Sequence, residues 1–237
     1  MGGKIRTVEA TEEDIWTAGQ RIEKRQAQAF FYGLYLTGAR TSELALFGPD
    51  YPLSAKAGEW YFTLPILKRR PVGGKPIVRT RPFFPAPPTS WEKMMLENLL
   101  DWVMKAREGG EIPAFDYQGR GKTEKHAARF DGPYSDLTRK GYSIRVTEAG
   151  VEKEEPVRPH WLRRFRITNL LLRSGGNVLA VRDFVGQKEY ASTLRYYEGS
   201  ELAFERLRRV AWPASPTAPP RSTPEGSPPR EEPIPGP

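Results

Sequence analysis

Cysteine is absent from the sequence and histidine is scarce, with only His126 and His160 among 237 residues. Without thiols, disulfide bonds and thiolate metal sites are excluded. Two histidines are also too few for a zinc centre of ordinary composition. His126 lies in a glycine-rich, basic stretch within residues 108–134, which we interpret as an exposed loop. We therefore expect chemistry that requires no cofactor and no metal held by the protein.

Long hydrophobic runs are absent as well. No apolar stretch approaches the roughly 20 residues that a membrane-spanning helix needs, and no signal-peptide pattern opens the chain. Hydrophobic residues nevertheless make up 38% of the sequence, which is enough for a packed core. We therefore expect a cytoplasmic protein with no membrane partner.

The charge of the chain is strongly positive. The formal net charge is +8 at pH 7, and residues 212–237 contribute −1, so the rest of the chain carries +9. A strongly basic folded domain indicates a polyanionic partner, most simply nucleic acid. A basic protein without such a partner and a protein that binds membrane surfaces are the alternatives that charge alone leaves open.

The end of the sequence differs in composition from the rest. Residues 213–237 hold ten prolines among 25 residues and too few apolar side chains to form a core. This composition is typical of a disordered segment. We expect one folded domain over residues 1–211, followed by a disordered proline-rich tail over residues 212–237.

Helix signals recur along the first hundred residues. Thr11 precedes three acidic residues and is expected to cap a first helix. A richly apolar run from about Gln26 to Leu36 predicts a central buried helix that ends at Gly38. Thr89 to Glu92 form a capping-box pattern ahead of a further core helix.

Two other segments are shorter. Residues 59–83 alternate in polarity and predict two antiparallel strands joined through residues 69–74. Pro65 would confine its strand to the edge of a sheet or to a bulge. Residues from about Ser143 to Ala149 predict a short helix that ends at Gly150.

The most informative stretch runs from His160 to Tyr197. Its apolar residues recur at helical spacing and predict a first helix that ends near Gly175; they are Leu162, Phe165, Leu170 and Leu171. A second, short helix is predicted from Val178 to Val185, and a third from about Ala191.

Two side chains on the first of these helices suggest chemistry. His160 and Arg163 are three residues apart, so both point to the same side of the helix. A proton-transfer group, a permanent cation and a nearby tyrosine hydroxyl are what phosphoryl transfer requires. The four arginines from Arg158 to Arg166 are too many for one catalytic role. We therefore expect those without a catalytic role to contact phosphates.

Three motifs resemble those of the tyrosine recombinases, the family of phage integrases and chromosome-dimer resolvases. The run from Thr37 to Leu44, Thr-Gly-Ala-Arg-Thr-Ser-Glu-Leu, is similar to the family's Thr-Gly-Leu-Arg-x-Ser-Glu-Leu signature. His160 to Arg163 matches its His-x-x-Arg motif, and Val185 to Gln187 matches its Leu-Gly-His (or Trp) turn. The family's nucleophilic tyrosine stands nine residues beyond that His or Trp, which selects Tyr196 over Tyr197.

The resemblance covers most of residues 8–210. It implies an α+β, mostly helical catalytic domain with a small antiparallel β-sheet. The implied function is site-specific DNA recombination or integration, in which DNA is cleaved and rejoined through a 3′-phosphotyrosyl intermediate. The implied partners are double-stranded DNA and further copies of the chain, assembled on DNA as a dimer or tetramer. The amphipathic segment 200–210 would dock on a neighbouring protomer or pack on its own.

The resemblance also implies residue roles. Tyr196 would attack the DNA phosphate, and Arg40 and Arg163 would neutralise its non-bridging oxygens. Glu43 would brace the region around Arg40. His160 would assist the transfer of the proton from the tyrosine.

Two positions depart from the family pattern or leave a choice. Gln187 stands where the family has His or Trp, although its amide can still donate a hydrogen bond. The family places its catalytic lysine at the tip of a β-hairpin. Lys68, which closes the outgoing strand, is the favoured residue, and Lys75 on the returning side is the alternative. Either lysine could instead be a plain phosphate contact.

The sequence shows no counterpart of the separate N-terminal DNA-clamping domain that family members usually carry, and we expect weaker and less selective DNA binding as a result. Two other functions stay open at this point. One is a catalytically impaired DNA-binding relative. The other is a topoisomerase-like enzyme that nicks and closes DNA.

Overall fold

The computed structural model of the protein describes residues 8–48, 51–68, 71–73, 75–109, 115, 136–137, 141–148 and 150–193. The strands and helices follow one another in this order: β1 (Val8–Glu9), α1 (Glu12–Gln20), α2 (Arg25–Thr37), α3 (Thr41–Leu44), β2 (Leu53–Lys56), β3 (Glu59–Pro65), β4 (Val78–Pro82), α4 (Ser90–Glu108), β5 (Ser143–Glu148), β6 (Val151–Pro156), α5 (Pro159–Arg173) and α6 (Val178–Val185). The expectations for His126, for the segment 200–210, for the tail 212–237 and for the two tyrosines concern residues outside this description.

The fold is α+β, as expected, with two small antiparallel sheets among the described residues. One has the strand order β1-β5-β6 and the other β2-β3-β4. The predicted pair of strands is confirmed as β3 and β4, with Leu64 opposite Arg79. The expectation for Pro65 is wrong, because β3 is the central strand of its sheet. Pro65 is tolerated there because it is paired only with Val78 of β4, beyond the residues of β3 that pair with β2.

The prediction of a short helix from Ser143 to Ala149 is also wrong, because residues 143–148 form strand β5. Ile144 and Val146 are buried and alternate with the exposed Arg145, which is the period-two pattern of a strand. Gly150, with φ 74°, occupies the turn into β6 rather than the end of a helix.

The core is organised around α2, which packs against α4 and α5. Its apolar residues are completely buried, among them Phe30, Phe31 and Leu34. Thr11 caps α1 as predicted, and it does so in a capping box with Asp14. Gly38 ends α2 with φ 58°. None of the described helices is long and apolar enough to cross a membrane.

A buried ionic cluster links α4 to α5. Arg166 and Glu92 are both 0% exposed, and the guanidinium donates to Glu92 Oε1 and, at 2.9 Å, to Phe83 O. Arg173, two turns further along α5, donates to Glu92 Oε2 at 2.7 Å. The expectation that the surplus arginines up to Arg166 contact phosphates is therefore wrong for Arg166, whose charge is used inside the core.

Candidate active site

Two helix ends meet at the centre of the site. α2 ends at Gly38 and α6 ends at Gly186, both with the left-handed backbone that favours glycine, at φ 58° and 69°. A Cβ atom on Gly38 would lie 2.9 Å from Val185 Cγ1, so the two turns are packed directly on each other. The chain leaves the first turn towards Arg40 and the second directly into Gln187. Two motifs that are far apart in the sequence therefore meet at one place.

The Arg163 side chain connects these two turns. It lies on α5 with 2% of its surface exposed, and it donates from Nη1 to Gly38 O and from Nη2 to Val185 O at 3.1 Å. Carbonyl groups at helix C-termini lack helical partners and carry partial negative charge. A guanidinium is therefore well suited to satisfy both. Glu43 adds a carboxylate oxygen 4.0 Å from Arg163 Nη1.

Arg40 follows the first turn and is held by Glu43. Arg40 Nη1 donates to Glu43 Oε1 at 2.6 Å, and the backbone N–H of Arg40 donates to Glu43 Oε2 at 3.0 Å. The Glu43 side chain is 1% exposed, whereas that of Arg40 is 22% exposed. A guanidinium has five N–H donors. Arg40 is thus braced from the protein side, and the exposed part of its guanidinium can bind an anion.

His160 lies at the start of α5, directly after Pro159, and its side chain reaches the surface. Neighbouring protein atoms still exclude enough water to lower its pKa, and the positive charges of Arg163, Arg40, Lys68 and Arg164 lower it further. These four cations therefore act on the imidazole through their charge. A lowered pKa keeps the imidazole neutral at neutral pH, so that it can accept a proton.

Gln187 is 8% exposed and continues from the second turn. Its Oε1 accepts a hydrogen bond from the Thr193 hydroxyl, and its backbone N–H donates to Arg182 O at 3.0 Å. Residues 190–193 are helical, so Thr193 belongs to the predicted third helix, which begins at Tyr190. Nε2 is the donor end of this amide.

The sequence interpretation missed one residue of this region, Arg79 on β4. It is 2% exposed, donates from Nη1 to Phe184 O and, at 3.3 Å, to Thr37 O, and lies 5.2 Å from the centre of the Phe62 ring. Burial lowers the pKa of Arg79 to about 9. The negative charge of Glu43 opposes this lowering, and the positive charge of Arg163 contributes to it. At neutral pH it stays charged. The only signal in the sequence is an arginine at an inward position of an alternating strand.

Five of the six predicted site residues are described by the structure: Arg40, Lys68, His160, Arg163 and Gln187. Arg40, Arg163 and Gln187 are connected through the backbone of the turns, whereas Lys68 is exposed just beyond β3 and acts on His160 through its charge. Lys75, the alternative lysine, is exposed on the returning side of the hairpin. Tyr196 lies outside the described residues. Among those residues no group of acidic, histidine or cysteine side chains is arranged to hold a metal ion.

Solved structures with a similar fold include site-specific recombinases. The XerA recombinase is similar with a TM-score of 0.54 and 17% identity, over 89% of this chain and 67% of the XerA chain. The XerH site-specific recombinase, bound to a palindromic difH substrate in a post-cleavage complex, gives a TM-score of 0.51 and 16% identity, over 84% of this chain and 50% of the XerH chain. The chain thus covers about half the length of XerH. At this level of identity the likeness shows a shared fold.

Comparison of sequences gives no assignment of its own. No family model matches the chain, and no curated protein matches it significantly.

Proposed function

We propose that the protein is a site-specific DNA recombinase or integrase that cleaves and rejoins DNA through a 3′-phosphotyrosyl intermediate. The observation that carries the proposal is the meeting of Arg40, Arg163 and His160 around two packed helix ends, in a fold similar to that of site-specific recombinases. In this proposal residues 1–211 are the catalytic domain, and residues 212–237 take no part in catalysis. Double-stranded DNA is the substrate, on which copies of the chain assemble.

The proposed cleavage step is a displacement at phosphorus. The Tyr196 hydroxyl loses its proton and attacks a backbone phosphate, and the bond from phosphorus to the 5′-oxygen breaks. The products are a 3′-phosphotyrosyl link and a free 5′-hydroxyl. Arg40 and Arg163 bind the non-bridging oxygens, on which negative charge increases in the transition state. Because the phosphodiester energy is kept in the covalent link, rejoining needs no ATP.

Proton transfers complete the step. His160, neutral because its pKa is lowered, accepts or relays the proton of the tyrosine. Lys68 gives a proton to the departing 5′-oxygen, and the effect of its charge on the pKa of His160 supports its choice over Lys75. Gln187 donates from Nε2 to a non-bridging oxygen, in place of the imidazole or indole N–H that the family motif has.

Incubation with nicked duplexes that release a short fragment on cleavage tests the proposal, because loss of the fragment traps the covalent adduct. Duplexes that cover candidate attachment sites are incubated with the protein and analysed on a denaturing gel. We expect a protein–DNA adduct that resists denaturation. DNA binding without adduct would favour the non-catalytic relative. That alternative is considered because Gln187 stands where the family motif has His or Trp. Nicking and closing without exchange between two duplexes would favour the topoisomerase-like enzyme.

Substitutions at Gln187 test its donor role. Gln187→Ala removes the amide and should lower the cleavage rate by about 10²–10³, the usual cost of losing one oxyanion donor. Gln187→His restores a ring N–H and should retain or raise the rate. Single-turnover cleavage at saturating protein concentration measures both. Equal rates for the wild type and both variants would place Gln187 outside the active site.

Binding to DNA should depend strongly on salt, because residues 1–211 carry a net charge of +9. If about six counterions are released, affinity should fall about a thousandfold between about 50 and 200 mM salt. Fluorescence anisotropy of a labelled duplex, measured across this range, gives the slope. A slope near zero would contradict a binding mode based on phosphate contacts.

A further inference from the structure

Arg79 and Arg163 hold the same two helix ends at successive carbonyl groups. Arg79 donates to Thr37 O and Phe184 O. Arg163 donates to the next carbonyl in each turn, Gly38 O and Val185 O. Two guanidinium groups, one from β4 and one from α5, thus tie the end of α2 to the end of α6.

Arg79 lies beneath the second turn and, unlike Arg163, has no contact with DNA in the proposed mechanism. It is 2% exposed, and its Cδ lies so close beneath the second turn that a Cβ atom on Gly186 would approach it to 3.1 Å. A side chain at Gly186 would therefore press on Arg79 as well as strain the left-handed backbone of the turn. Because of this contact, the backbone conformation at Gly186 depends on the position of the Arg79 side chain.

Stability alone does not explain a buried cation at this place. Nε and Nη2 of Arg79 have no hydrogen-bond partner among the described residues. Burying a charge whose donors are incompletely satisfied is costly, and an apolar side chain of similar volume is often at least as stabilising. What Arg79 contributes, and an apolar residue would not, is the pair of hydrogen bonds to the two turns.

We propose that Arg79 is a positioning residue for DNA cleavage, which fixes the turn before Arg40 and the turn that carries Gln187 without contacting the substrate. The inference rests on the proposed function for its kinetic consequences only. Its structural consequence, the fixing of the two turns, is present in the free protein.

Hydrogen exchange in the free protein tests the structural part. The N–H groups of Arg40 and Gln187 are both hydrogen-bonded in the turns, to Glu43 Oε2 and Arg182 O at 3.0 Å each. In Arg79→Met, peptides that cover residues 37–43 and 184–190 should exchange at least about tenfold faster, because two of the ties between the turns are lost. Val146→Ala, a buried substitution in the other sheet, is the matched control for general destabilisation. It should leave both peptides unchanged.

Cleavage and binding measured separately test the kinetic part. In Arg79→Met the single-turnover cleavage rate at saturating protein should fall about a hundredfold, the cost of a misplacement of about 1 Å, while Kd for DNA stays within about threefold. Arg79→Lys keeps a cation that can donate to one carbonyl, so it should recover part of the rate. Val146→Ala should cleave at the wild-type rate at a temperature well below its Tm.

Several results would overturn the inference. They are wild-type exchange in both peptides, wild-type cleavage by Arg79→Met, or a rise in Kd with an unchanged cleavage rate, which would indicate direct DNA contact. If Arg79→Met fails to fold, the same comparisons are made with Arg79→Lys, for which intermediate values are expected and wild-type values would contradict the inference. Absence of adduct from the wild type would contradict the proposed function, whereas the exchange experiment would still decide the role of Arg79 in holding the turns.

Discussion

Tyr196→Phe is expected to abolish the covalent protein–DNA adduct completely. The substitution removes one oxygen atom, which is the nucleophile of the proposed reaction, and keeps the aromatic ring. Folding and DNA binding should therefore persist. The measurement is adduct formation on a nicked duplex, read on a denaturing gel, with Kd for the same duplex determined in parallel.

Tyr197→Phe is the matched control, because it makes the same chemical change one residue away. Adjacent residues of a helix point about 100° apart, so only one of two neighbouring hydroxyls can align with a phosphate bound by Arg40 and Arg163. Tyr197→Phe should still form adduct. If the two variants exchange these outcomes, the nine-residue spacing from Gln187 has selected the wrong tyrosine.

Glu92→Ala is expected to produce the largest loss of stability. It leaves the buried charge of Arg166 without its carboxylate and removes a partner of Arg173. Breaking a buried ion pair from one side costs about 3–5 kcal/mol, and for a domain of this size that lowers Tm by roughly 6–20 °C. Thermal unfolding followed by circular dichroism measures the shift.

Asp101→Ala is a suitable control, since Asp101 pairs with Lys105 on the exposed side of the same helix, α4. Exposed pairs contribute little, so Tm should hardly change. Equal changes in Tm for the two substitutions would mean that the buried pair contributes no more to stability than the exposed pair.

The cluster at Glu92 also predicts a loss of stability in acid. Burial raises the pKa of Glu92, but the charge of Arg166 and hydrogen bonds from Thr89, Arg173 and Arg166 outweigh it, and the net pKa is lowered. A lowered carboxyl pKa contributes stability above the pKa of the unfolded chain, and this is lost as pH falls through the folded pKa.

The helices that carry the site could be predicted because their signals are local. Gly38 and Gly186 ended α2 and α6 where the sequence indicated, and the capping box at Thr89 preceded α4. Strand β5 was missed because six residues with two buried β-branched side chains fit a short helix nearly as well as a strand. Only pairing with β1 and β6, which is not a local property, decides between them.

The burial of two arginines could not be predicted from the sequence. The sequence predicts a phosphate contact for Arg166 and no role for Arg79, whereas the structure buries both. Burial of Arg166 depends on Glu92, which is far away in the chain, and burial of Arg79 depends on two helix ends on either side of it in sequence. Partners that lie this far away in the chain cannot be predicted from the periodic pattern of polar and apolar residues. The roles of Arg40, Arg163 and Tyr196 come from motif resemblance rather than from periodicity.

The most direct test of the central claim is to identify the residue that becomes joined to DNA. The wild-type protein is trapped on a nicked duplex, digested with protease and nuclease, and the modified peptide is sequenced by mass spectrometry. The proposed mechanism predicts a phosphodiester-linked nucleotide on Tyr196. DNA that is bound but attached to no residue of the protein would contradict the claim that this chain cleaves DNA.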